Sequence, residues 1–324
     1  MKLTRHPENP ILEPIPDHPW ESRNVYNAAV IEHEGRIVLL YRAQGTVNNI
    51  SRLGYAVSDD GVHFERLDEP VFVPETPDET KGVEDPRLTR IDGRIQMVYT
   101  AWSPKKIQVG RASTTDFRIW ERHGIAFAGP DNKDAALFSR KVNGRYVAFH
   151  RIPSSMWLAY SDDLATWGDY QEIMAPRPGH YDDLKLGAGG PPIETELGWL
   201  VICHGVDRDR VYRLGVALLD RDDPAKVLNR PDEAVLEPEE PWEKVGEVPN
   251  VVFTCGTAER GDDYLIYYGG ADQNRPGWSV LLIRCGRFVC PPVLSHVPWP
   301  GRRGGHGRRR NRRAGSGQGS AARR

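Results

Sequence analysis

Hydrophobic and polar residues follow one another in a pattern that recurs five times along the chain. Its plainest element is a β-branched and aromatic run entered from turn residues: Gly35-Arg-Ile-Val-Leu-Leu-Tyr-Arg42, Gly93-Arg-Ile-Gln-Met-Val-Tyr-Thr100, Gly144-Arg-Tyr-Val-Ala-Phe-His-Arg151, Gly198-Trp-Leu-Val-Ile-Cys-His204 and Asp263-Tyr-Leu-Ile-Tyr-Tyr-Gly269. Such runs read as strands leaving a hairpin turn. Each follows another extended segment, at residues 25–31, 85–91, 135–142, 190–195 and 248–258. After the first three comes a small-residue strand and an acidic turn closed by an aromatic residue, at 54–64, 110–120 and 158–167; the fourth copy, 215–224, is looser. A short strand ending at or near proline completes the unit, at 11–14, 71–74, 125–130, 173–176 and 235–238.

Four short strands per unit of some 50 to 60 residues is the pattern of propeller blades. The expected fold is therefore all-β, a five-bladed β-propeller over residues 1–272. A proline-ended strand at 11–14 precedes any complete unit, so the N-terminus is expected to supply the outer strand of the last blade and close the ring. No segment of helical period competes with this reading.

Composition refines the picture in three ways. No apolar stretch approaches the roughly 20 residues of a membrane span, and Met1-Lys-Leu-Thr-Arg-His-Pro7 lacks the apolar core of a signal peptide, so the expected compartment is the cytoplasm. The four cysteines, at 203, 255, 285 and 290, show no metal-ligand spacing and are read as reduced thiols. The net charge of -2 hides an uneven distribution: residues 273–324 carry twelve Arg and no Lys, Asp or Glu, which leaves 31 basic residues against 45 acids in the body. This Arg/Gly/Pro-rich segment is expected to be a disordered tail outside the fold. One reading makes it a nucleic-acid-binding extension. The preferred one makes it the product of a frame shift just after Asp272, since GC-rich DNA read out of frame yields Arg, Gly, Pro and Ala. On that reading blade five is left incomplete, with an open strand edge.

The repeat gives scattered polar residues a common address. Residues flanking the first and second strands of a blade converge on the central channel: Asn27 and Arg42; Glu84 and Asp85; Lys133, Asp134, His150 and Arg151; Asp182, Asp183, Lys185 and His204; Asn250 and Asp272. Charges lining a channel are costly unless paired or used. Glu84 and Asp85 are adjacent, so on an extended strand only one of them can face a cleft, and Pro86 biases Asp85 towards extended backbone. Sugar hydrolysis uses two carboxylates, with Asp134, Asp183 or Asp272 as candidates for a second. Arg42, Lys133, Arg151, Lys185 and His204 exceed what a neutral sugar needs and suit an anion such as phosphate. One acid beside a phosphate cradle describes a phosphorylase, with phosphate as co-substrate and no cofactor or metal. Gly187-Ala-Gly-Gly190 lacks the Lys-Ser/Thr and helix of a nucleotide loop and is read as a close backbone passage. Trp102, Trp157 and Tyr181 could stack on sugar rings, with packing the competing role for each.

These residues resemble glycoside hydrolase family 130, the inverting β-1,4-mannoside phosphorylases and their hydrolytic relatives, and within it the mannooligosaccharide and mannosyl-N-acetylglucosamine phosphorylase branch. The resemblance runs from Asn9 to about Asp272 and rests on Leu39-Leu-Tyr-Arg-Ala43, Gly82-Val-Glu-Asp-Pro-Arg87, Lys133-Asp-Ala-Ala-Leu-Phe138, Lys185-Leu-Gly-Ala-Gly-Gly-Pro-Pro-Ile193, Pro249-Asn-Val-Val-Phe253 and Tyr267-Tyr-Gly-Gly-Ala-Asp272. It implies a five-bladed propeller and makes Asp85 the general acid, acting through a hydroxyl of the mannosyl ring. It implies that Lys133, Arg151, Lys185, His204 and Tyr212 hold phosphate, and that Asn27, Arg42, Glu84 and Asp272 bind the sugar. The implied partners are a β-mannoside oligosaccharide and phosphate; neither nucleic acid nor membrane is expected, and oligomeric state and acceptor sugar stay open. An inverting hydrolase and a non-catalytic sugar-binding propeller are the alternatives.

Overall fold

The computed structural model describes residues 3–127, 129–246, 248–271 and 280–286. Among these described residues, twenty-one strands build five antiparallel sheets. β1 (Thr4–Arg5) is set aside for the last blade. Blade one is β2 (Asn24–His33), β3 (Arg36–Gln44), β4 (Arg52–Ser58) and β5 (Glu65–Arg66); blade two is β6 (Gly82–Ile91), β7 (Arg94–Trp102), β8 (Ile107–Thr114) and β9 (Glu121–Ile125). Blade three is β10 (Lys133–Leu137), β11 (Tyr146–Ile152), β12 (Ser155–Ser161) and β13 (Gly168–Met174). Blade four has its inner strand in two pieces, β14 (Lys185–Ala188) and β15 (Ile193–Thr195), followed by β16 (Gly198–Val206), β17 (Tyr212–Leu219) and β18 (Val227–Asn229). Pro191 and Pro192 lie at that break, where neither can donate to the ladder. Blade five runs β19 (Val252–Arg260), β20 (Asp263–Gly270), β21 (Val280–Gly286) and then β1.

The ring is thus closed by the N-terminus, as the repeat implies, though with a shift. The closing strand is Thr4–Arg5 paired to Ile283 and Arg284, while Leu12 contributes one bridge to Val280. Phe72 and Leu236 make the same single bridges, to Leu53 and Leu214. In blades one, four and five the proline-ended segments therefore come after the fourth strand proper.

The expected open strand edge of blade five is corrected. β21 pairs along β20 from Asp263↔Gly286 to Gly269↔Val280, so Tyr264 to Tyr268 have their ladder partners and β1 has its neighbour. Alternation along β21 sends Val280 and Leu282 into the core shared with blade one, and Leu281 and Ile283 into the core shared with blade four. The remainder of the Arg-rich segment lies outside the described residues.

Hydrophobic cores fill all five blade-to-blade contacts. On the second strands, alternation sends Leu39 and Tyr41 to one side and Val38 and Leu40 to the other. Buried acids hold the outer strands to these cores. Glu21 accepts from Tyr41 and Arg66, Glu79 from Tyr99 and Arg122, and Glu243 from Tyr268 and Arg5. The small residues of the third strands make room for these rings: a Cβ on Gly54 would sit 2.3 Å from the Tyr41 ring, and one on Gly110 2.3 Å from that of Tyr99. The acidic turns repeat as well, Asp60, Asp116, Asp163 and Asp220 each accepting two backbone N–H bonds just downstream. No helix among the described residues is long and apolar enough to cross a membrane.

Candidate active site

One distortion, repeated in three blades, builds the site. Where β2 pairs β3, β6 pairs β7 and β10 pairs β11, the inner strand carries an extra residue opposite Tyr41, Tyr99 and His150 respectively. At each bulge a short polar residue takes the left-handed region: Asn27 (φ 47°), Asp85 (φ 48°) and Asp134 (φ 54°). Asn and Asp tolerate that region better than other non-glycine residues, and a bulge re-aims the side chain it carries. The bulge overrides the extended bias that Pro86 places on Asp85. All three side chains line a cavity of about 380 Å³ walled by all five blades.

On the wall of blades one and two, Asp85 is 2% exposed. Its Oδ1 accepts from Asn27 Nδ2 at 2.8 Å and Arg42 Nη1 at 3.1 Å, and Lys133 Nζ lies 3.6 Å from Oδ2. Burial alone would raise its pKa, but Arg42, Lys133 and Arg87, with the Asn27 hydrogen bond, outweigh it and bring the carboxyl down to about 2. Arg42 is fixed from three sides: it donates to Ser51 Oγ at 2.9 Å and Glu84 Oε1 at 2.5 Å, and its guanidinium lies 4.7 Å from the Tyr26 ring centroid. Glu84 is thus placed behind Arg42, off the cavity wall, where Ser51 also donates to it at 2.9 Å; it braces Arg42, and the expected sugar contact would run through that side chain. Of the two adjacent acids, Asp85 alone lines the cavity, and the bulge rather than simple alternation aims it there, since at the equivalent bulges both neighbours, Tyr26 with Asn27 and Lys133 with Asp134, line it.

The wall of blades three and four carries the cations. Cross-strand pairing sets Lys133 opposite Arg151, and Lys185 donates to the Tyr212 hydroxyl at 2.8 Å. Behind them Asp134 lies 2.6 Å from Arg151 Nη1 and 3.4 Å from His204 Nε2. Burial pushes the fully enclosed His204 down to about 4, more than the neighbouring Asp134 raises it, so the imidazole is neutral at pH 7. Arg87 ties the two walls together. Wholly buried on β6, it donates to the backbone oxygen of Asp85 at 2.7 Å, and across the channel to the carbonyls of Gly189 at 2.8 Å and Ala188 at 3.1 Å. The glycine run is a close passage between strands: a Cβ on Gly187 would lie 2.6 Å from Asp134 Oδ2.

Several expectations are corrected. His150 points away from Arg151, its neighbour on the strand, into the contact between blades two and three, where it stacks on Phe127 and meets Asn132 Nδ2 at 2.8 Å. Asp182 is a buried clamp for Arg177 and Arg230, and Asp183 pairs Arg208 at the surface; both belong to the loop ahead of β14. Asn250 gives its backbone oxygen to the Tyr212 N–H and does not line the cavity. Tyr181 packs over Gly205 and Gly215, and Trp157 is also off the wall. Asp272 lies outside the described residues. Trp102 is at the cavity, 38% exposed. Reasoning from sequence assigned no site role to Tyr26, Gln44, Asn49, Val248, Val251 or Phe253, which complete the wall. Tyr26 was findable, because it stands opposite Arg42 in the ladder.

Four cationic side chains, Arg42, Lys133, Arg151 and Lys185, share the cavity lining with two carboxylates, Asp85 and Asp134. Behind them Arg87 and Glu84 cancel. The excess of two positive charges suits a dianion.

Comparison with known proteins agrees with this geometry. The family model of glycoside hydrolase family 130, described as β-1,4-mannooligosaccharide phosphorylase, matches residues 2–275. A β-1,2-mannobiose phosphorylase of Thermoanaerobacter sp. (strain X514) is 48% identical over 289 residues, covering 85% of this chain and 95% of the relative. A 1,2-β-oligomannan phosphorylase of the same organism is 45% identical over 281 residues, covering 84% and 95%. The structure of the Listeria innocua β-1,2-mannobiose phosphorylase in complex with β-1,2-mannobiose superposes with a TM-score of 0.83 at 30% identity, covering 91% of this chain and 99% of that one. The chain belongs to glycoside hydrolase family 130, the family of mannoside phosphorylases.

Proposed function

We propose that this protein cleaves a β-1,2-linked mannoside with inorganic phosphate, inverting the anomeric carbon to release α-mannose 1-phosphate and a shortened acceptor. The observation that carries the reading is the charge imbalance of the cavity, because a neutral sugar attacked by water has no use for two uncompensated cations. Phosphate is already an anion and needs no base to attack. Lys133, Arg151, Lys185 and the Tyr212 hydroxyl hold it on the wall of blades three and four, with His204 as a neutral neighbour. Asn27 and Arg42 orient the mannosyl ring on the opposite wall, beside Asp85. The leaving oxygen then takes a proton that originates on Asp85, relayed through a ring hydroxyl or given directly.

That role requires Asp85 to be protonated in the complex, although it is ionised in the empty site. Phosphate bound beside Lys133 offsets the cation that most depresses Asp85 after Arg42, and sugar displaces water from the carboxyl; both shift the proton towards it. A hydrolase would need a base for water, and Asp134, the other carboxylate on the wall, is engaged by Arg151. Support for the β-1,2 linkage comes from the two Thermoanaerobacter relatives; the β-1,4 linkage expected from sequence keeps the support of the family description and is the second reading. β-1,2-mannobiose and β-1,4-mannobiose offered separately with phosphate discriminate them. We expect kcat/KM at least about tenfold higher for the β-1,2 disaccharide, a difference of about 1.4 kcal/mol; preference for the β-1,4 disaccharide overturns the assignment.

A further inference from the structure

The anion site holds a carboxylate that a plain phosphate cradle does not need. Asp134 is 1% exposed in the left-handed bulge of β10 and forms part of the cavity wall between Lys133 and Arg151. Arg151 Nη1 stands 2.6 Å and His204 Nε2 3.4 Å from Oδ2, and Arg87 Nη2 stands 3.6 Å from Oδ1. These are ion-pair distances; neither oxygen accepts a well-directed hydrogen bond from the described residues. A buried oxygen without such a bond carries a cost that a ligand donor would remove. β14 runs so close to this carboxylate that a Cβ at Gly187 would lie 2.6 Å from Oδ2, and the ion pairs to Arg151 and Arg87 hold it in place.

A fixed carboxylate repels a bound anion unless a proton lies between them. At neutral pH inorganic phosphate always keeps at least one proton, whereas sulfate, equal in shape and in charge to hydrogen phosphate, keeps none. We propose that Asp134 accepts a hydrogen bond from the P–OH of bound hydrogen phosphate and so makes the site selective for protonated oxyanions, phosphate and arsenate, over sulfate. The inference rests on the phosphorolytic reading of the cavity. Arg151 and Arg87 are the charged neighbours of Asp134; His204, neutral at pH 7, adds no further charge and lies 3.4 Å from Oδ2 without a directed hydrogen bond, so a P–OH of the ligand can supply the donor.

The test compares phosphate and arsenate as co-substrates, and sulfate as competitor, in the full-length enzyme acting on β-1,2-mannobiose at pH 7. In the wild type, arsenate supports turnover and the sulfate Ki exceeds the phosphate KM by at least about tenfold, the size of one hydrogen bond to a charged group. In Asp134→Asn the charge that repels sulfate is lost and the amide can donate as well as accept, so the sulfate Ki falls relative to the phosphate KM and their ratio narrows by about tenfold or more. A structural role alone would weaken both anions together. Sulfate competing in the wild type at concentrations near the phosphate KM overturns the inference without need of the variant, as does an unchanged ratio in a folded Asp134→Asn. Absence of any phosphate-dependent turnover overturns the phosphorolytic reading itself, and this inference with it.

Discussion

Replacing Asp85 by Asn removes the proton while leaving nearly everything else in place. Asn tolerates the left-handed backbone at this bulge. Its carbonyl oxygen can still accept from Asn27 Nδ2 and Arg42 Nη1, and Arg42 keeps Glu84 and Ser51. What disappears is the negative charge facing Lys133 at 3.6 Å, a group 29% exposed and well placed to regain water, and facing Arg42 at 3.1 Å, which keeps its ion pair to Glu84. The fold should therefore persist, with thermal unfolding close to that of the wild type. Proton donation is commonly worth about 10² to 10⁴ in rate, or about 3 to 5 kcal/mol of barrier. Turnover of mannobiose should fall by that amount. The same variant acting on 4-nitrophenyl β-mannoside, whose leaving group needs no proton, should lose less than about tenfold. Steady-state phosphorolysis of the two substrates is the assay. A loss below about tenfold on mannobiose, or an equal loss on both substrates, would refute the assignment of Asp85 as the acid.

Further outcomes follow from the same geometry. Arg151→Ala and Lys185→Ala should raise the phosphate KM by about tenfold or more, since each removes a charge-assisted contact, while the mannoside KM moves little; unchanged phosphate dependence in both would place the anion elsewhere. Leu282→Ala, in the core between blades five and one, should cost about 2 to 5 kcal/mol and lower Tm visibly, whereas an unaltered Tm would mean that β21 is no part of the blade. His150 and His204 are both held down to about 4 by burial, so the unfolded chain binds protons there from about pH 6.5 while the native state does not. Their contribution to stability is complete above pH 6.5 and is lost as pH falls towards 4, by up to about 3 kcal/mol each. Urea midpoints across that range should show the slope, and His150→Phe should flatten it; a profile equally steep in the variant would contradict the account.

The blade pattern was legible because strand alternation and hairpin turns act over a few residues, and those signals recur five times. So was the cationic wall, since the starts of first strands, with Lys133 and Lys185, and the ends of second strands, with Arg42 and Arg151, meet at a propeller axis. The left-handed bulges were not: nothing in Asn27, Asp85 or Asp134 as residue types announces an extra residue in the ladder, which appears only once the strands are paired. His150 and Arg151 lie in the unbroken register of β11, where alternation sends them to opposite faces, so only one of that pair can face the cavity. Asp182 and Asp183 were drawn in by nearness in sequence to Lys185, but the loop that carries them turns outward before β14 begins. In β21 the run Val280-Leu-Leu-Ile283 is an ordinary strand signal, outweighed in the reading by the arginines that follow it.

The central claim is that phosphate, not water, attacks the mannoside. Incubating the enzyme with β-1,2-mannobiose in phosphate-free buffer and then with added phosphate, while following the sugar phosphate and its anomeric configuration by ³¹P and ¹H NMR, tests it most directly. The account predicts negligible cleavage without phosphate and, once it is added, α-mannose 1-phosphate in amounts equal to the free mannose released. Equal cleavage in both buffers, yielding mannose alone, would contradict it.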